Sequence, residues 1–87
     1  TYQSIPTLPE IISMSATLNS GNNLVGKTVE EAEYKIGSRI VLIEKEDDDG
    51  VLNVLTPSQV DVLEVSDKIY LFLEKTDLKR VEKSLEN

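Results

Sequence analysis

The chain reads as a small two-layer α+β domain, with helices packed on a mostly antiparallel sheet in the order β-α-β-β-β-α. Three observations predict it. Apolar residues alternate with other residues at period two in Ile12–Leu18 and again in Ile69–Leu73, the spacing of a strand. They recur instead at helical spacing after Thr28 and in Leu78, Val81 and Leu85. Asp49-Gly50 separates two apolar runs, a strong hairpin signal.

The elements follow in order. Thr1 to Pro9 carries Pro6 and Pro9, which fix their own φ and extend the residue before them. Residues 1–10 therefore read as an extended arm or linker, and 11–87 as the domain. Ile12, Met14, Ala16 and Leu18 alternate with Ser13, Ser15 and Thr17, a half-buried strand. Asn19 to Asn23 is a turn. Thr28 and Glu31 form a capping box, and Glu30 and Glu31 sit where the helix dipole favours negative charge. Val29, Ala32 and Ile36 form the apolar stripe of this helix, and Gly37 is placed to end it with positive φ.

The run Ile40-Val41-Leu42-Ile43 is expected to be a strand buried on both faces, its second face covered by a subunit partner or a ligand. Val51 to Leu55 returns as the second hairpin strand. Thr56-Pro57-Ser58 leads out of the hairpin, and Val60, Val62, Leu63 and Val65 are expected to anchor a connector. Ser66-Asp67 turns the chain into a central strand, where Ile69, Leu71 and Leu73 oppose Tyr70 and Phe72. That aromatic pair is expected to make core contacts on the alternate face. Thr76 or Asp77 is a candidate cap for the terminal helix.

Composition narrows the chemistry. The 87 residues suffice for one domain. A core this small, with no cysteine to staple it, often gains stability by pairing with a second copy. Histidine is absent as well, which removes the usual general base and the commonest zinc ligand. A formal net charge of −7, from 16 acidic and 9 basic residues, argues against nucleic acid as a partner. The longest apolar runs fall far short of the roughly 20 residues that cross a bilayer, so no direct membrane insertion is expected.

Two segments carry a family resemblance over about residues 11–85. The first is Gly21-Asn22-Asn23-Leu24-Val25-Gly26-Lys27-Thr28-Val29-Glu30-Glu31-Ala32. The second is Val62-Leu63-Glu64-Val65-Ser66-Asp67-Lys68-Ile69-Tyr70-Leu71. With the hairpin and the proline-bearing loop between them, and Asp77-Leu78-Lys79-Arg80-Val81 after them, the pattern resembles the TrkA-C domain, the C-terminal domain of regulators of K+ conductance. The family's usual glycine before the aspartate is Ser66 here. The resemblance implies a non-catalytic, cytoplasmic regulatory module that dimerises and serves a K+ or other ion transport protein, as the soluble part of a membrane-associated system. It also implies a ligand cleft between subunits, whose matching positions are Ile40, Val41, Asn53 and Val54. Some members bind cyclic di-AMP there. In this chain the region holds Glu44, Glu46 and Asp47-Asp48-Asp49, with only Arg39 and Lys45 as nearby cations, which disfavours that dianion. The alternatives are an oligomerisation module without a ligand, and a PASTA-like cell-wall-binding domain, which Leu24–Ala32 also resembles. The latter family does not need the Ser66-Asp67 turn and the strand after it.

Two further motifs invite sharper readings. Gly21 to Thr28 formally matches a phosphate-binding loop, Gly-x-x-x-x-Gly-Lys-Thr. The following helix is short, no parallel α/β pattern surrounds it, and Thr28 is better explained as a helix cap, so no catalytic residue is assigned. The three aspartates suggest Ca2+, but the EF-hand register puts Lys45 at the first ligand position. No metal or cofactor is therefore expected, and the acidic turn reads as a solvated hairpin that guards an edge.

Overall fold

The computed structural model describes residues 9–86, so the arm is seen only from Pro9. The hydroxyl-apolar alternation becomes β1, Ile11–Thr17, with Ile12, Met14 and Ala16 half-buried and their neighbours exposed. The other elements are α1 (Val29–Ile36), β2 (Ile40–Glu46), β3 (Leu52–Leu55), β4 (Lys68–Glu74) and α2 (Leu78–Leu85). The four strands form one antiparallel sheet in the order β1-β4-β2-β3, so β4 is central and the first strand lies beside the last. The expected β-α-β-β-β-α order and two-layer α+β class are what the structure shows.

Both helices are eight residues long, too short to persist alone, and depend on packing. Val29, Ala32 and Ile36 of α1 and Val81 of α2 enter one core with Ile40, Ile43, Ile69, Leu71 and Leu73 of the sheet. Burying each of the larger side chains stabilises the fold by about 1.5–3 kcal/mol. The capping box on α1 forms as expected: Glu31 N donates to Thr28 Oγ1 at 3.1 Å, and Thr28 N donates to Glu31 Oε1 at 2.9 Å. These hydrogen bonds, the Thr28 amide foremost, hold the exposed Glu31 carboxyl below its ordinary pKa. Gly37 closes the helix at φ 65°. Arg80 of α2 then donates to the carbonyls of Ile36 and Gly37 at 2.9 and 3.2 Å, placing a cation at the negative end of α1 and tying the helices together.

Four expectations need correction, and the run Ile40–Ile43 is refined: its second face is left open by the single chain, as an expected cover from a partner or ligand requires. A β-bulge between Ile40 and Leu42 sets Val41 and Leu42 against one residue, Tyr70, so Ile40 and Ile43 share the inner face while Leu42 points out, 38% exposed. In the connector only Leu63 is fully buried. Val60 packs at the core margin, and Val62 and Val65 are exposed, because this segment turns twice and offers one side chain inward. Tyr70 and Phe72 are not core contacts: they lie on the outer face of β4, and Phe72 is 60% exposed. The hairpin reverses over Asp47–Gly50 rather than at Asp49-Gly50 alone, with Gly50 N donating to Asp47 O at 3.0 Å and Gly50 at φ 80°. Finally, neither Thr76 nor Asp77 caps α2 with its side chain. A one-turn 3-10 helix, Lys75–Asp77, leads directly into it.

Candidate functional site

The two segments behind the family resemblance meet in space. Gly26 adopts φ 86°, and its amide donates to Leu63 O at 2.7 Å. Leu63 N returns to Lys27 O at 2.8 Å, and Thr28 bridges Val62. On the far side of the connector, Leu18 N donates to Asp67 O and Ser66 N to Leu18 O. The end of β1, the glycine turn and the Ser66-Asp67 turn are thus laced together by backbone hydrogen bonds. Ser66 sits at φ 74°, a left-handed conformation that few non-glycine residues adopt, which explains why glycine suits this place.

That lacing bears on the phosphate-loop motif. Leu24 N donates to Asn22 Oδ1, Val25 N to Asn22 O, Gly26 N to Leu63 O, Lys27 N to Leu24 O, and Thr28 N to Glu31 Oε1. A phosphate cradle needs such amides free and converging, and all of these are engaged within the chain.

Lys45 is also committed. It lies on the inner face at the end of β2, and its ammonium donates to Asp67 Oδ2 at 2.5 Å, Glu64 Oε1 at 2.9 Å and Val62 O at 3.4 Å. Burial works to lower the Lys45 pKa, but the hydrogen bonds and charges of Asp67 and Glu64 outweigh it, and the ammonium is held above the ordinary lysine range. The same bond holds the exposed Glu64 carboxyl below its usual range. Asp67, 4% exposed, also accepts from the Glu64 amide at 2.8 Å. Its negative charge is thereby satisfied from two sides.

The four ligand positions implied by the resemblance are placed apart. Ile40 is 3% exposed in the core. Val41 occupies the bulge. Asn53 and Val54 are neighbours on β3 and so point to opposite faces. Asn53 Nδ2 donates to Asp47 Oδ2 and Val51 O. The first aspartate of the acidic turn is structural: Asp47 Oδ1 accepts from the amides of Asp49 and Val51, both at 2.9 Å. These bonds, Val51's foremost, keep the Asp47 carboxyl below its ordinary pKa. Among the described residues, no group of three or more acidic side chains is placed to hold a metal.

No family model matches the chain, and no curated protein matches it significantly.

Two surfaces stand out. A groove of about 690 Å³ runs between the end of α1 and the Pro57 loop, with Glu30, Glu33, Gly37, Arg39 and Pro57 among its walls and Tyr34 on its rim, 93% exposed. The second surface is the outer face of the sheet, away from both helices. It carries Tyr70 and Phe72 on β4, Leu42 on β2, Leu52 and Val54 on β3 and Ile11 on β1, together with Ser13, Ser15 and Thr17 and, around its margin, Lys68, Glu74, Glu44 and Glu46. Tyr70 Oη donates to Glu44 Oε2 at 2.9 Å, and Lys68 Nζ lies 5.4 Å from the Tyr70 ring centre. A legible signal for this face was the unbroken apolar run of β2 beside the aromatic residues of β4. For the groove the signal was Tyr34, lying off the Val29-Ala32-Ile36 stripe of its helix. Among the described residues no helix is long and apolar enough to cross a membrane.

Proposed function

We propose that this chain is a non-catalytic regulatory and dimerisation domain, of the kind found in TrkA-C modules, serving a K+ or other ion transport protein. The observation that carries the reading is the uncovered sheet face. Phe72, Leu52 and Val54 are each 60% exposed there, beside Tyr70 and Leu42. An apolar patch of this kind on a small domain is an interaction surface. The polar groups most reminiscent of chemistry support the same reading, because they are spent on architecture: Thr28 caps a helix, Lys45 neutralises Asp67, and Asp47 shapes a turn.

A ligand would enter as a regulator at a cleft completed by the second copy, near Val41, Val54 and the Arg39 end of β2. Cyclic di-AMP remains a poor fit. Lys45 is held by two carboxylates and Arg39 lies at the opposite end of β2 from the acidic hairpin, so neither is placed to offset that hairpin's charge. The second reading, an oligomerisation module without a ligand, is favoured by the separation of Ile40, Asn53 and Val54 onto different surfaces. The test is a concentration series by analytical ultracentrifugation combined with calorimetry. Dimerisation with no heat of binding from cyclic di-AMP at high micromolar concentration is the expected result. A monomer throughout would remove the dimerisation reading, and tight nucleotide binding would overturn the charge argument.

A further inference from the structure

The outer face of β4 has an internal symmetry. Four consecutive outward residues read Lys68, Tyr70, Phe72, Glu74, a cation and an anion flanking two aromatic rings. The inward residues Ile69, Leu71 and Leu73 are held in the core, so this order on the outer face is fixed. Turned end over end about a point level with Leu71, the pattern maps onto its own complement. Lysine falls on glutamate, and tyrosine on phenylalanine.

We propose that two copies of the chain pack face to face through their uncovered sheets, related by a two-fold axis that crosses β4 level with Leu71. This rests on the dimerisation reading above and specifies its surface and register. The two β4 strands then run antiparallel across the interface. Lys68 of each copy meets Glu74 of the other, and Tyr70 of each meets Phe72 of the other. A two-fold contact is isologous, so each pairing is made twice. Sheets stacked this way cross at about −30°. The central rings therefore sit in register, while the charged ends rely on their long side chains to span the divergence.

The flanking strand agrees with the register. On β1, Ser13 lies level with Phe72 and Ser15 with Tyr70. The same axis sets Ser13 of one copy against Ser15 of the other, hydroxyl against hydroxyl. The other way of stacking the faces, with the β4 strands parallel, sets Lys68 against Lys68 and Glu74 against Glu74. Like charges in contact select against it. The occupant is thus a second copy of this chain: the outer row of β4 supplies both halves of its own charge complement.

Sedimentation equilibrium on wild type, Lys68→Glu, Glu74→Lys and a 1:1 mixture of the two variants tests the register. Each single reversal converts both attractive pairs into repulsive ones and should weaken self-association by about tenfold or more. The mixture should recover wild-type affinity, because a mixed dimer again pairs opposite charges at both ends. Phe72→Ser, which leaves the charges intact, should weaken the dimer on the order of a hundredfold, with thermal melts confirming that each variant is folded. If wild type dimerises and none of these variants alters its affinity, the face assignment is wrong and the dimerisation reading stands. If the single reversals weaken the dimer and the mixture does not recover it, the antiparallel register is wrong. If wild type stays monomeric throughout, both the inference and the reading beneath it fail.

Discussion

One strand, β4, shows two faces of the molecule in a single stretch. Its inward residues Ile69 and Leu71 are fully buried and Leu73 nearly so. Its outward residues Tyr70 and Phe72 are just as apolar in character, yet Tyr70 is half-buried and Phe72 mostly open. Strand β2 repeats the contrast, with Ile43 buried and Leu42 out. The helices cover one face only. An ordinary two-layer domain presents polar residues on the other, and the β1 half of this sheet does so with Ser13, Ser15 and Thr17. The β2–β4 half does so only around its margin, where Lys68, Glu74, Glu44 and Glu46 frame Tyr70, Phe72 and Leu42, so at the centre the difference between the faces reflects missing cover rather than missing hydrophobicity.

The sharpest way to break that contrast is to truncate each face in turn. Ile69→Ala should cost about 3 kcal/mol of folding stability, from lost burial and the cavity left behind. Phe72→Ala, measured by urea unfolding at concentrations where the chain is monomeric, should cost within about 0.5 kcal/mol, as for an exposed position. Equal losses at the two positions would mean that the outer face is covered within the chain.

The next effect lies at the rim of the covered face. Lys45→Ala leaves the buried Asp67 carboxylate with only the Glu64 amide as a partner, and should cost about 2 kcal/mol in chemical denaturation. A loss near zero would show that water replaces the ammonium at no cost. Ser66→Gly works in the opposite direction: it relieves the left-handed strain at φ 74° and should stabilise the domain by about 0.5–1 kcal/mol.

The smallest effect is a pH dependence. Glu64 has its folded pKa depressed, chiefly by its hydrogen bond to Lys45, so it contributes stability at neutral pH. That contribution begins to fall as pH drops past its ordinary value of about 4.5 and is lost below the folded value. Thermal melts from pH 6 to pH 3 should therefore show a shallower acid loss for Glu64→Gln than for wild type. Identical slopes would show that the Lys45 bond is not maintained in solution.

How much of this was legible in the sequence follows the range of the interactions. The capping box at Thr28 and Glu31 and the stop at Gly37 are read within a few residues, and both form as expected. Element order and the antiparallel sheet followed from periodicity and the hairpin turn. The bulge at Val41 was not legible, because it depends on how β2 settles against β4. Nor was the engagement of Lys45, whose partners Glu64 and Asp67 lie 19 and 22 residues away. Lys45 reads along the chain as a free cation beside an acidic turn, and only the fold brings the Ser66-Asp67 turn to it. The uncovered face was half legible: the apolar run was plain, but which of its residues turn outward was set by the bulge.

The central claim, that the open face makes this a dimerisation domain, is tested most directly by sedimentation equilibrium of the wild-type chain from micromolar to millimolar concentration. The account predicts an average mass that climbs from 9.7 kDa towards twice that value. A single 9.7 kDa species at every concentration would contradict it.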